Sequence, residues 1–218
     1  MKAYRTLTIS GTYEILVATI AEIENRLNNG WQRNKQIEED GRNPAGLAPE
    51  QLRYCFKCEP TPSRKGALVV LMSDPNDNLQ LTNIVPDELG QLTFDEFNSI
   101  LEEFVQKFVR PAIAKTGAEL ETSSGIVTID DWFTRETAEK LRRFLKLTHG
   151  STSHPEDEKL WNSFLVSADR ENADVHGDLL RRWLKEDAGI HEHYADQLAS
   201  DYQRLKEFLM YKEQFQGA

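Results

Sequence analysis

Between Ala67 and Gly117 the chain carries two strand-like runs, a turn-rich stretch and a capped amphipathic helix in direct succession. That order restricts the fold more than any other feature. Ala67 to Ser73 and Leu79 to Val85 are rich in β-branched and aliphatic residues, and Asp74-Pro-Asn-Asp-Asn78 between them is dense in turn formers, so a hairpin is predicted. Thr93-Phe-Asp-Glu96 matches a capping box, in which the Thr hydroxyl and the Glu carboxylate each satisfy an orphan backbone donor. Phe97, Leu101, Phe104, Phe108 and Ala112 follow at helical spacing and make one apolar stripe. Pro111 is expected to bend or interrupt this helix, and Gly117 to end it.

A first strand is expected from Tyr4 to Ile9, followed by a helix from Tyr13 to Asn28 with Leu16, Ile20, Ile23 and Leu27 on one face and Asn29-Gly30 as its stop. Residues 32–50 are polar and hold Gly41, Pro44, Gly46 and Pro49, which reads as a long loop with room for a short helix. Leu52 to Glu59 is the next strand. Ala118 to Thr122 and Ile126 to Ile129 are expected to pair around Ser123-Ser-Gly125. From Asp130 onward the apolar spacing is helical. Thr134 caps one helix, Ser153-His-Pro-Glu156 forms a second capping box, Asp174 opens a third helix that Gly189 closes, and His191 to Gln214 is the longest. The fold class is therefore α+β. An antiparallel sheet of about five strands with two helices on one face occupies residues 1–129, and a small helical bundle, 130–218, packs against it.

Charge and cysteine usage narrow the functional classes. The net charge of −10 opposes nucleic acid as a partner, because phosphate contacts need a surplus of Lys and Arg. No run is apolar enough for a bilayer span or a signal peptide, and two cysteines make no disulfide framework, so a cytoplasmic setting without membrane association is expected. Residues 1–66 hold 10 basic and 8 acidic side chains, against 16 and 28 in residues 67–218. An acidic body of this kind attracts a basic partner and speeds its encounter, although acidity also serves solubility alone.

The side chains that carry chemistry do not assemble into a motif. Cys55-Phe-Lys-Cys58 is a formal C-x-x-C, but Glu59-Pro60-Thr-Pro62 cannot begin the helix that a redox motif needs. In a strand its two thiols point to opposite faces, and histidines to complete a zinc site lie about ninety residues away. Neither a metal nor a cofactor is expected. His149 with His154, and His191 with His193, lack the spacing that brings two imidazoles to one helical face, while His154 and His176 read as helix-boundary residues. Glu156-Asp157-Glu158 sits where a helix dipole favours negative charge, and Asp130-Asp131 reads as a cap more readily than as a metal site. Arg142-Arg143-Lys146 and Arg181-Arg182-Lys185 are interleaved with Glu136, Glu139, Glu186 and Asp187, which favours surface ion pairs over an anion site. No catalytic residue is identified.

Two resemblances stand beside this reading. The element order of strand, helix, loop, three strands, long helix and strand resembles the acyl-CoA-dependent N-acetyltransferases, whose pyrophosphate loop would fall at Pro86-Asp-Glu-Leu-Gly-Gln-Leu92. The family's glycine-rich Q/R-x-x-G-x-G/A pattern is missing there and two acidic residues stand in its place, so the likeness is one of topology. Ser151-Thr-Ser-His-Pro155, Trp161, Phe164 and Arg182-Trp-Leu184 resemble bacterial hypothetical proteins of unknown role, over the last third of the chain, and this implies no activity. The function expected is a non-enzymatic bacterial cytoplasmic interaction protein that neutralises or scaffolds a basic protein partner through its acidic surface. The alternative is an enzyme with a site assembled from scattered residues, either a divergent acyltransferase or a metal-dependent hydrolase.

Overall fold

The computed structural model describes residues 1–28, 30–40, 52–74, 78–148, 155–173 and 175–216. The expected turn at 75–77, most of the 32–50 stretch, the Ser153-His154 half of one capping box, His149 and Asp174 lie outside the described residues. The chain divides into two compact units, Lys2–Ile126 and Val127–Ala218, with Met1 belonging to the second.

The first unit is α+β, with one antiparallel sheet in the order β2-β3-β4-β5-β1-β6. Its strands are β1 (Leu7–Ser10), β2 (Trp31–Arg33), β3 (Arg53–Cys58), β4 (Ala67–Ser73), β5 (Leu79–Pro86) and β6 (Glu119–Thr122). The hairpin β4–β5 is closed by Asp74, whose Oδ1 accepts the Asn78 N–H at 2.9 Å, and its register shifts at Val70/Leu71. Sequence reading missed β2. Trp31 and Arg33 sit at the head of a polar stretch, and only pairing with Cys58 and Phe56 makes them a strand. A second correction concerns Ile126 to Ile129, which does not pair with the strand before it. Instead β6 lies along β1, Ile126 makes a single bridge to Lys2, and Ile129 opens a 3-10 turn, Ile129–Asp131.

Helices α1 (Tyr13–Arg26) and α3 (Phe94–Phe104) cap themselves with Thr12 and Thr93, and Glu96 closes the second cap as a full box. Just ahead of Pro111 the long helix widens into a π turn, Val105–Val109, and then continues as α4 (Arg110–Thr116). The extra residue moves the carbonyls that the proline ring would strike, so the proline interrupts the hydrogen bonding without ending the helix. Gly117, at φ +78°, ends it in the left-handed conformation. Leu16, Ile20 and Ile23 of α1, with Phe97, Leu101, Phe104, Phe108 and Ala112 of the second helix, share one core with Leu7, Ile9, Phe56, Val69, Leu71 and Leu79 of the sheet. Both helices therefore cover the same sheet face. A short helix α2 (Lys35–Asp40) stands beside β3.

The second unit is helical. It holds α5 (Arg135–Leu147), α6 (Pro155–Arg170), α7 (Gly177–Glu186) and α8 (Glu192–Gln216) around Phe133, Phe144, Trp161, Phe164, Leu180, Leu184 and Tyr202. Thr134 caps α5 as expected. The start of α7 comes later than Asp174 suggested, at Gly177, where His176 Nδ1 accepts the Asp178 N–H. Among the described residues no helix is long and apolar enough to cross a membrane.

Candidate functional site

Several of the chemistry-bearing groups singled out in the sequence have a local structural setting among the described residues. Cys58 faces the sheet core beside Ala67, whereas Cys55 pairs with Val70 outside that core, so the two buried thiols point apart. Burial pushes both thiols above their ordinary pKa. His176, His191 and His193 are exposed at helix starts. Asp131 accepts from the Thr128 N–H at 2.7 Å as a cap, and Asp130 pairs with Arg142. Arg181 pairs with Asp196, Arg182 with Glu186 and Lys185 with Glu192, so this basic cluster is spent on surface pairs. At the start of α3, following Pro86–Leu92, the Thr93 N–H donates to Glu96 and the Glu96 N–H to Thr93. Among the described residues no group of three or more His, Cys, Asp or Glu is placed to hold a metal.

The unequal charge of the chain has an internal explanation in the first unit. Lys2, Arg5, Lys57, Arg64 and Lys65, all from residues 1–66, pair with Asp95, Glu102, Asp87, Glu103 and Glu96 from residues 67–126. The excess of acid in 67–126 is thus met largely by the chain's own first third. Arg5 holds the Glu102 carboxyl below the usual carboxylate range. A further network lay unseen in the polar stretch. Arg33 forks onto Glu38, at 2.9 and 2.8 Å, and reaches Glu24 at 2.7 Å, while Glu38 also accepts the Cys55 N–H at 3.0 Å. It ties α1, α2, β2 and β3 together and leaves no acceptor for chemistry.

The helical unit differs, because part of its acidity forms no ion pair among the described residues. Between α6 and α8 lies a cleft of about 200 Å³ lined by Asp157, Glu158, Trp161 and Asn162 on one side and Tyr194, Gln197, Leu198 and Asp201 on the other. Asp157 is only 8% exposed, and among the described residues its carboxylate accepts from the Thr148 hydroxyl at 3.2 Å. Neither Asp157 nor Asp201 forms an ion pair among the described residues. Trp161 is buried between Phe144 and Phe164, at 5.2 and 5.1 Å, and its Nε1–H has no acceptor. The cleft thus sets carboxylates beside the rings of Trp161 and Tyr194.

Sequence reading placed Asp157 in the first turn of a helix and Trp161 on its buried face, but as a dipole charge and a core residue. Their spacing of four was the available signal. Tyr194 and Asp201 come from α8, and no local pattern joins them to α6. Compared with family models, curated proteins and solved structures, the chain finds no match.

Proposed function

We propose that this chain is a non-enzymatic interaction protein whose helical unit captures a basic side chain of a protein partner between α6 and α8. The observation that supports this reading is Asp157, a buried carboxylate that has no counter-ion among the described residues and lines a cleft with Trp161 and Tyr194. Keeping such a charge out of water costs free energy unless a cation answers it. An ammonium about 4 Å away gains roughly 4 kcal/mol at a surface-like dielectric, and the half-buried Tyr194 ring adds about 0.5–1 kcal/mol. Through this contact the protein neutralises or scaffolds its partner, in a reducing cytoplasm that keeps Cys55 and Cys58 as thiols.

Titration with a lysine-rich peptide tests this. Asp157→Asn with Asp201→Asn should weaken binding at least about tenfold, equivalent to about 1.4 kcal/mol. Glu119→Gln with Glu121→Gln removes the same charge from exposed positions on β6 and should change little. Equal weakening by both pairs would reduce the effect to overall charge and defeat the proposal.

A further inference from the structure

The sheet of the first unit is open in its middle. β1 pairs with β5 only at Thr8↔Gln80 and Ile9↔Leu79, although β5 runs on to Pro86 with β4 along its other edge. Over the same length the N-terminal residues turn away from β5 and are held elsewhere. Ala3 N–H donates to Gly125 O at 2.9 Å, Arg5 N–H to Asn98 Oδ1 at 2.8 Å and Thr6 N–H to Ser123 Oγ at 2.8 Å. Gly125 is required for this arrangement, since φ is +75° and a Cβ there would meet Arg5 Cγ at 2.7 Å.

The divergence opens a cleft of about 530 Å³, bounded by Tyr4, Thr6, Ile84, Val85, Leu92 and Phe97 among others. Its wall along β5 is an unpaired strand edge. Ile84 N–H is answered by Asn83 Oδ1 at 2.8 Å, a side chain standing where a neighbouring strand would supply a carbonyl. Val85 remains 44% exposed beside it. Among the described lining residues Arg5 is the one charged side chain, and its guanidinium pairs with Glu102. A strand edge with apolar and uncharged walls fits an extended, uncharged backbone, not an ion or a helix.

We propose that this slot binds a neutral extended peptide segment of a partner protein by strand addition to the free edge of β5. This site is separate from the cation cleft of the helical unit and does not depend on it. Six residues, Leu81–Pro86, present about 20 Å of edge, enough to register alternate side chains of the guest. The guest backbone replaces Asn83 Oδ1 at Ile84, and its apolar side chains meet Val85 and Leu92. Only one edge of the guest is hydrogen-bonded, because the N–H groups of Arg5 and Thr6 are engaged on their far side.

The probe is a blocked heptapeptide alternating valine and threonine, titrated into the full chain with amide hydrogen exchange as the readout. Slowed exchange over Thr82–Val85 is expected. Two N-methylated versions, one blocking odd positions and one even, should differ by roughly tenfold or more in affinity, since only one set faces β5. Asn83→Ala, an exposed position, should tighten binding by removing the competing oxygen. Equal affinity of the two N-methylated peptides, or protection confined to the helical unit, would overturn the proposal. So would no binding to the native or Asn83→Ala chain, or self-association with the β5 edge occupied by a second copy.

Discussion

Phe104→Ala is expected to be among the most damaging single truncations in the first unit. Its side chain is fully buried where α3 meets the sheet, with Phe56 at 5.0 Å, Trp31 at 5.3 Å and Phe108 at 6.1 Å between ring centroids. Removing a buried phenylalanine side chain costs about 3–5 kcal/mol through lost transfer energy and the cavity left behind. Three ring neighbours place the expectation at the upper end, because each aromatic pair contributes about 0.5–1.5 kcal/mol beyond buried area. Such a loss is a large part of the roughly 5–15 kcal/mol that stabilises a typical domain. Two units need not unfold together, so urea denaturation should be followed by exchange at the amides of Phe56 and Val69 as well as by ellipticity. Phe104→Leu, which keeps most of the volume, should cost less than half as much. A loss below about 1 kcal/mol for Phe104→Ala, with an unchanged m-value, would refute the placement of this ring at the centre of the core.

Arg64→Met should destabilise by about 2 kcal/mol, since it leaves Glu103 with Lys107 as its one cation among the described residues and removes the guanidinium over Trp31, 5.3 Å from the ring centroid. Burial pushes the Glu103 carboxyl up, but Arg64 and Lys107 outweigh it and hold it below the usual range. This stabilisation is therefore present above the unfolded value of about pH 4.3 and is lost as pH falls through the lower folded value. Arg64→Met should move acid unfolding to higher pH, and an unchanged acid limb would contradict the pairing. Cys55 and Cys58 should resist a thiol reagent at neutral pH until the protein unfolds, and rapid labelling of the native chain would show that burial does not protect them. Thr93→Ala should cost about 0.5–2 kcal/mol by opening the α3 capping box, and a thermal melt unchanged from the parent would contradict that role.

The parts of the fold legible in the sequence were those set by near neighbours. Thr93 and Glu96 lie three residues apart, the stripe from Phe97 to Ala112 repeats with the helix, and Gly117 stops it, so each feature carries its own local cause. Distant pairings were not legible. β2 is three residues long and is a strand only because β3 lies beside it, and β6 finds β1 more than a hundred residues away instead of the adjacent Ile126 run. The cleft proposed to take a cation was half visible. Asp157 and Trp161 share a face of α6, but Tyr194 and Asp201 reach them only through tertiary packing. Charge was legible in amount and misleading in place, since the basic first third and the acid of residues 67–126 are partners within one unit.

The central claim, a cation receptor between α6 and α8, is tested most directly by comparing one lysine-bearing peptide with its acetyl-lysine twin. Calorimetric titration of each into the native chain should give at least about tenfold tighter binding for the free amine, because acetylation removes the charge that Asp157 and Asp201 answer. The difference should shrink as added salt shortens the Debye length from about 10 Å toward 3 Å, yet persist in part because Asp157 is buried. Equal affinities for the two peptides at low salt would contradict the receptor outright.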